Sequence, residues 1–471
     1  MIFNSFQFIW LFPSIFVAYW LCYRFTGKGH SLAKYLLLAI SYGVYMQWNA
    51  AFALVLLYVT AVTYAFGLLF AHPVKRKTCC LWGSIMLTIV PLLLFKYFNF
   101  ITQAGASVLA WVGIDTPAPS LSWVIPLGLS FYTFQALGYM VDVYKERINA
   151  ERKWWDYMLY VSFFPQILCG PISKASELLP QIKDPAPFKY TQAVSGLRMV
   201  LWGMFLKVVL ADRVGMYTDV IYQNPEIYSG VSCFIASVFY SLQIFGDFAG
   251  YSYMAVGVAR LLGINLIVNF HRPYFAQSIA DFWKRWHISL TRWLTTYIYI
   301  PLGGSRCSKA RNNLNIMLTF LVSGIWHGAN YTFILWGAIH GFFQVVEKTL
   351  GLNKLNSKGI LRFIRIIVTF LIVNTAWIFF RAPSIGDAFD IISRLFSSGG
   401  VLYLDLINFI YSFYAIAIVV AIEAWMEFGR KSFKAFLNKS VVIRWSAYCV
   451  LTLSILALGV MDASQFIYVQ F

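Results

Sequence analysis

The chain has 471 residues, of which 60% are hydrophobic and only 12% are charged. Its mean hydropathy of +0.67 excludes an ordinary soluble globular domain, and apolar runs of about 18 residues recur along it. The formal net charge of +18 sits mainly in short loops, which is the positive-inside pattern of cytoplasmic loops. No segment is polar enough for a folded nucleic-acid-binding domain, so we predict an all-α polytopic membrane protein that does not bind nucleic acid.

Hydropathy predicts about 11 to 14 true membrane crossings, because several apolar segments are short or interrupted. The candidate spans are, in chain order, 6–25, 33–49, 50–72, 78–100, 122–144, 154–172, 192–212, 229–246, 247–264, 312–328, 331–349, 361–381, 403–427 and 442–462. The basic loops that orient them include Lys75-Arg-Lys77 and the segment from Lys145 to Lys153. With these loops in the cytoplasm, the N-terminus lies outside and His327 lies toward the outer end of its span.

Residues 265–311 do not fit a simple crossing, because they form a polar, aromatic-rich segment that is too charged to face lipid. Irregular backbone at membrane depth is tolerated where it is buried in protein or lines a wet cavity. We therefore predict a re-entrant element that enters from the cytoplasmic side and brings His287 toward His327. Histidine is costly in hydrocarbon, and an ionisable group at membrane depth indicates a functional site.

The segment from Asp281 to Trp293, taken as one continuous helix, separates a charged face from an aromatic face, with His287 at the border. Lys284, Arg285 and Arg292 then form a cationic lip that suits the phosphates of an acyl-CoA or of a phosphopantetheine-bearing carrier. Ordinary interfacial anchoring by Arg and Trp explains the same pattern equally well.

The remaining polar residues predict no metal site. There is no His-Glu-x-x-His motif, and the seven cysteines are scattered without a Cys-x-x-Cys pair. His340, thirteen residues after His327, falls on a different side of a continuous helix. We expect it to have a hydrogen-bonded packing role.

The string Ser289-Leu-Thr-Arg-Trp-Leu-Thr-Thr-Tyr-Ile-Tyr-Ile-Pro-Leu-Gly-Gly-Ser, together with Trp326-His327-Gly, resembles the membrane-bound O-acyltransferase (MBOAT) family. More narrowly, it is similar to the bacterial branch typified by the alginate O-acetyltransferase membrane subunit. Supporting blocks run along essentially the whole chain, among them Pro126-Leu-Gly-Leu-Ser-Phe-Tyr-Thr-Phe-Gln and Asp247-Phe-Ala-Gly-Tyr-Ser.

This resemblance implies one membrane domain over residues 1–471, a ring of helices with re-entrant elements around a central tunnel. The catalytic-histidine span of this domain covers about 312–330. The protein itself is expected in the cytoplasmic (inner) membrane of a bacterium. It implies transfer of an acyl group, by analogy acetyl, from a cytoplasmic thioester to an extracytoplasmic envelope or exopolysaccharide hydroxyl. The thioester, acetyl-CoA or an acyl carrier protein, is a substrate, and no bound cofactor is expected. A periplasmic or membrane-anchored partner protein is expected to assist. Alginate itself is not carried over as the acceptor.

The resemblance maps the family's invariant histidine onto His327 and its second polar catalytic position onto His287. A neutral buried imidazole is a base at pH 7, so we expect His327 to take the proton of the acceptor hydroxyl. We expect His287 to orient the thioester or to stabilise the oxyanion, and Trp286 and Trp326 to line the tunnel and exclude water.

Two other classes compete with this interpretation. A transporter or flippase for an envelope precursor is also polytopic with buried polar groups, but such folds often contain paired repeats, and no internal repeat is evident. A polytopic glycosyltransferase usually needs carboxylates in an outward loop, where Asp115 is the clearest candidate and no acidic residue lies near it in the sequence.

Overall fold

The structure, a computed structural model, describes residues 3, 5–25, 30–167, 170–355, 357–429, 432–433, 435–436, 440–460 and 467. These residues form helices and loops without a β-sheet. They divide into two compact units: residues 1–197 with 255–267, and residues 198–254 with 268–471. The division does not test the single domain predicted over 1–471, which stays a prediction.

The first helices in chain order are α1 (Phe6–Phe25), α2 (Ser31–Met46), α3 (Phe52–Phe70), α4 (Lys77–Leu92), α5 (Phe98–Trp111), α6 (Leu129–Tyr144), α7 (Trp154–Ser162), α8 (Phe164–Ile167), α9 (Ala175–Lys183) and α10 (Tyr190–Met204). They are followed by α11 (Asp212–Gln223), α12 (Gly230–Leu261), α13 (Ile279–Arg285), α14 (Ile288–Leu294), α15 (Lys309–His327), α16 (Tyr331–Thr349), α17 (Gly359–Arg381), α18 (Ile385–Arg394), α19 (Leu406–Phe428) and α20 (Val441–Leu458). Short π-helical turns occupy Leu93–Tyr97, Phe205–Ala211 and Thr295–Tyr299, and 3-10 turns occupy Pro273–Phe275 and Leu352–Lys354.

Eight helical segments of the described chain are long and apolar enough to cross a membrane. They are Gln7–Phe25, Phe52–Phe70, Lys77–Trp111, Tyr190–Gln223, Gly230–Leu261, Gly359–Arg381, Leu406–Phe428 and Val441–Leu458. The predicted all-α, multi-pass membrane architecture is therefore confirmed. Two further helices, α15 and α16, have 19 residues each, and the polar residues they carry lower their hydropathy.

Two of the predicted spans, 229–246 and 247–264, form the single 32-residue helix α12. Sequence hydropathy suggested a break at Gly246-Asp247, but the helix continues because the charge of Asp247 is balanced by an ion pair inside the protein. The ammonium of Lys207 lies 2.7 Å from a carboxylate oxygen of Asp247 and 2.7 Å from one of Asp212. A paired carboxylate can remain buried where an isolated one is too costly.

The predicted span 154–172 does not form one helix. Helix α7 ends at Ser162, and Phe163 takes a non-helical conformation with φ −49° and ψ 107° before the four-residue helix α8. Within the first unit the buried Asp156 of α7 pairs with Lys34 of α2 at 3.0 Å. This ion pair joins α7 to α2 inside the unit. With nine residues, α7 is too short to cross a bilayer.

Candidate active site

His327 is the last residue of α15, and its position depends on a close contact between α15 and α16. Gly324 and Gly337 face each other across this hairpin. A Cβ on Gly324 would lie 2.2 Å from the backbone oxygen of Phe333, and a Cβ on Gly337 would lie 2.4 Å from that of Phe320. Only glycine permits this approach, because any side chain would overlap the neighbouring backbone. The contact holds the final turn of α15, where His327 is only 3% exposed.

His287 lies at a break between α13 and α14, so the single helix expected from Asp281 to Trp293 is wrong. The α13 helix ends because Trp286 is extended and His287 adopts left-handed backbone angles, φ 40° and ψ 54°. Such angles are uncommon for a non-glycine residue and mark a conformation that the surroundings impose. Residues across the break must therefore hold it in place.

Asn269 supplies much of that support. Its backbone oxygen accepts a hydrogen bond from Ile288 N at 3.0 Å, and its side-chain oxygen accepts one from Ser289 N at 3.1 Å. On the other side of the break, Arg285 O accepts a hydrogen bond from His271 N at 2.9 Å. Some of the backbone groups that a helix end leaves free are thereby bonded on both sides of His287.

The rings of both histidines contact Trp326. The ring centroid of Trp326 lies 6.0 Å from that of His287 and 4.8 Å from that of His327. Phe248 packs edge-on against His287 at 4.6 Å, and Trp336 packs edge-on against His327 at 4.9 Å. The predicted proximity of the two histidines is thus present in the second unit, within an aromatic and largely apolar enclosure.

Burial controls the protonation of His287. Its side chain is fully buried, and removal from water lowers the pKa of the imidazole to about 3 because burial disfavours the charged form. The ring is therefore neutral at physiological pH. A neutral imidazole offers one hydrogen-bond donor and one acceptor to a reacting group.

A cavity of about 400 Å³ lies next to this centre in the second unit. Its lining residues come from α13, α14, α15 and α16, from the π-helical turn and the loop between α14 and α15, and from the 3-10 turn after α16: Ala280, Trp283, Lys284, Thr291, Leu294, Thr295, Tyr299, Ser305, Ile316, Thr319, Phe320, Ser323, Gln344, Lys348 and Asn353. Ser323 precedes His327 by one helical turn, so the cavity reaches the turn of α15 that carries the histidine. Its lining combines apolar walls with two lysines.

The predicted cationic residues separate in the structure. Lys284 lines the cavity, whereas Arg285 is engaged in ion pairs with Asp281 at 2.9 Å and with Glu427 at 3.0 Å. Arg292 is half-buried on α14. The structure thus brings Lys284, and not Arg285, to the cavity.

The two predicted tryptophans also differ in placement. The ring of Trp326 contacts both histidine rings. Trp286 is fully buried, and its ring packs against Phe282 at 5.5 Å and against Trp377 at 5.0 Å. Trp286 therefore anchors the break beside His287 to the aromatic core and is not among the residues that line the cavity.

Glu427, at the end of α19, is a charged residue that no sequence motif singles out. One carboxylate oxygen lies 2.7 Å from Arg272 and 3.0 Å from Arg285, and the other lies 2.9 Å from Arg362. This three-arginine clamp joins the C-terminal end of α13 to α17 and α19. Lys348 also lines the cavity, but in the sequence it is only one of several basic residues near the end of an apolar segment. No local motif marks either residue, because their neighbours lie far away in the chain.

His340 is fully buried and accepts a hydrogen bond from Trp283 Nε1 at its Nδ1 over 3.2 Å. This geometry agrees with the packing role expected for it. Within the described part of the chain, no group of three or more His, Cys, Asp or Glu side chains is arranged to hold a metal ion.

The fold and this centre define a multi-pass helical membrane protein with a buried pair of histidines beside a cavity. The family description "MBOAT, membrane-bound O-acyltransferase family" matches residues 153–381, a range that contains both histidines. The chain is 33% identical over 404 residues to the probable alginate O-acetylase of Pseudomonas aeruginosa, covering 85% of this chain and 75% of that protein.

It is also 33% identical over 433 residues to the peptidoglycan O-acetyltransferase of Helicobacter pylori, covering 85% of this chain and 81% of that protein. A more distant relative is the teichoic acid D-alanyltransferase of Bacillus subtilis, 26% identical over 269 residues, which cover 55% of this chain and 65% of that protein. The chain belongs to the membrane-bound O-acyltransferase family, and it is an O-acyltransferase.

Proposed function

We propose that the enzyme transfers an acetyl group from a cytoplasmic thioester to a hydroxyl of a cell-envelope polysaccharide or exopolysaccharide outside the cytoplasmic membrane of a bacterium. Relatives named for alginate and peptidoglycan O-acetylation support both the acyl group and the acceptor class. The observation that carries the proposal is the buried pair His287 and His327, whose rings both contact Trp326. His327 lies one helical turn from Ser323, which lines the cavity.

In the proposed reaction His327 is the general base. Its neutral imidazole takes the proton of the acceptor hydroxyl as the oxygen attacks the carbonyl carbon of the thioester. The tetrahedral intermediate collapses, the carbon–sulfur bond breaks, and the departing thiolate recovers the proton from the imidazolium. The products are the ester and the free thiol. A positioned base of this kind contributes about 10²–10⁴-fold to the rate.

His287 is proposed to donate a hydrogen bond to the thioester carbonyl oxygen, where negative charge develops. Its full burial and its left-handed backbone support such a fixed, preorganised role. Trp326, which is only 5% exposed and contacts both rings, is proposed to exclude water and so to suppress hydrolysis of the thioester. Trp286 acts indirectly by anchoring His287.

The donor is proposed to occupy the 400 Å³ cavity as a substrate. Lys284 and Lys348 supply positive charge for the phosphates of acetyl-CoA or of a phosphopantetheine-bearing carrier protein, while the apolar lining accommodates the pantetheine arm. Arg285 has its charge balanced by Asp281 and Glu427, so its proposed contribution is to hold α13. Arg292 remains a candidate donor contact from α14.

The acceptor is proposed to reach His327 from the opposite side. Helix α15 begins at Lys309, in a basic stretch with Arg306 and Arg311 that the positive-inside pattern assigns to the cytoplasm. It ends at His327, so the histidine belongs at the outer end. A periplasmic or membrane-anchored partner protein is proposed to assist in delivering the acetyl group to the polymer. Transport without acyl transfer is not favoured, because the chain is an O-acyltransferase.

The test uses purified protein in nanodiscs with radiolabelled acetyl-CoA and polysaccharide fragments as acceptors. We expect His327→Ala and His327→Gln to lower turnover by about 10²-fold or more, with unchanged size-exclusion profiles. His30→Ala, which removes a histidine from the first unit, serves as the control and should retain turnover. Wild-type turnover in a folded His327→Gln protein would refute the assignment of the base.

A further inference from the structure

The first unit contains a second, larger cavity that the acyl-transfer site does not use. It is an open groove of about 1420 Å³ formed by the end of α3, the loop before α4, and the segment after α6. The two loops that form its rim, around residues 71–77 and 145–153, are the basic loops that the positive-inside pattern assigns to the cytoplasm. The groove therefore opens where membrane-crossing helices leave the bilayer.

Positive charge dominates the polar side of the groove. Lys75, Lys77 and Arg152 line it, and the acidic residue of its lining is Glu146. Glu146 is paired with Lys77 at 3.0 Å. Lys75 and Arg152 are both exposed, and neither forms an ion pair with an acidic group of the described residues. The groove thus presents two uncompensated cations.

The other side of the groove is apolar and continuous with a membrane-crossing helix. Leu68 and Leu69, near the end of α3, line it, and α3 is one of the helices long and apolar enough to cross a membrane. On the neighbouring helix α4, the indole of Trp82 is 63% exposed on the protein surface. Exposed tryptophans near helix ends are typical of the membrane–water interface.

We propose that this groove binds an anionic phospholipid, with the phosphate headgroup on Lys75 and Arg152 and the acyl chains along α3. Basic pockets between transmembrane helices on the cytoplasmic side favour anionic headgroups. An apolar floor joined to a cationic rim matches an amphiphile, whereas a free phosphate would use only the rim. The groove shares no lining residue with the donor cavity, which lies in the second unit.

The experiment compares the wild type with Lys75→Gln/Arg152→Gln in detergent, titrated with phosphatidylglycerol, phosphatidylcholine, inorganic phosphate or acetyl-CoA. The readouts are lipid adducts in native mass spectrometry and the shift in Tm. We expect phosphatidylglycerol to bind the wild type and raise its Tm, and to bind the double variant about 30-fold more weakly. The matched control, Arg24→Gln/Lys189→Gln, removes two exposed charges of the same unit and should behave as wild type.

Several results would overturn the proposal. Equal binding of phosphatidylglycerol by both double variants would mean that general charge, and not the groove, attracts the lipid. A Tm rise with inorganic phosphate equal to that with phosphatidylglycerol would identify a free-anion site. A Tm rise with acetyl-CoA that only Lys75→Gln/Arg152→Gln abolishes would reassign the groove to the donor.

Discussion

Gly324→Ala tests whether the contact between α15 and α16 positions His327. The added methyl would lie 2.2 Å from the backbone oxygen of Phe333, and real Cβ atoms essentially never approach other heavy atoms closer than 3.0 Å. The two helices must therefore separate by about 0.8 Å at this point. Backbone atoms on both sides leave no flexible side chain to absorb the movement.

Gly324 lies about one helical turn before His327, so a shift of the helix at Gly324 also displaces the histidine. A misplacement of about 1 Å in a catalytic group can lower the rate by about 10²-fold, so we expect kcat to fall by that order. Overpacking also destabilises a core by about 1–3 kcal/mol, which predicts a lower Tm in detergent. Acetyl transfer from radiolabelled acetyl-CoA gives kcat, and tryptophan fluorescence on heating gives Tm.

Gly83→Ala is the matched control. Gly83 lies inside α4, and no heavy atom lies within 4 Å of the position that a Cβ would take there, so this change tests only the intrinsic helix preference for alanine. It should leave kcat unchanged and Tm equal or higher. A Gly324→Ala protein with wild-type kcat and Tm would refute the claim that close helix packing positions the histidine.

Other predictions concern the charges around the site. Glu427→Gln leaves the arginine clamp without its negative charge, so we expect the free energy of unfolding in detergent to fall by about 3 kcal/mol; an unchanged unfolding curve would show that the clamp contributes nothing. Lys284→Gln should raise the KM for the donor about tenfold with little change in kcat, and Lys284→Arg should restore it; a fall in kcat alone would place Lys284 in the chemistry. The pKa of His287 is about 3 when folded and about 6.5 when unfolded, so the unfolded state binds the proton first as pH falls. Stability should therefore decline from about pH 6.5 toward pH 3, by ~2 kcal/mol at pH 5 relative to pH 7.5. His287→Gln should lack this component in denaturant titrations, and an identical pH slope would contradict it.

Much of the architecture and chemistry was predictable from local sequence. Long apolar segments define membrane helices because a bilayer requires about 20 apolar residues per crossing, and the Trp326-His327-Gly string marks the buried histidine. Span boundaries were less predictable. The polar dip at Asp247 suggested a loop, but the ion pair with Lys207 allows α12 to pass through it, and that partner lies on a different helix.

Composition and contiguous motifs were sufficient to predict the class of the protein, its family resemblance and the two candidate histidines. Which residues come into contact depends on the packing of the folded chain. The chain turns left-handed at His287 because Asn269 supports the break, and Arg285 pairs with Glu427, 142 residues away. It is also the folded hairpin of α15 and α16 that brings Lys348 to the same cavity as Lys284. Contacts between distant segments depend on how helices pack, and no local pattern encodes them.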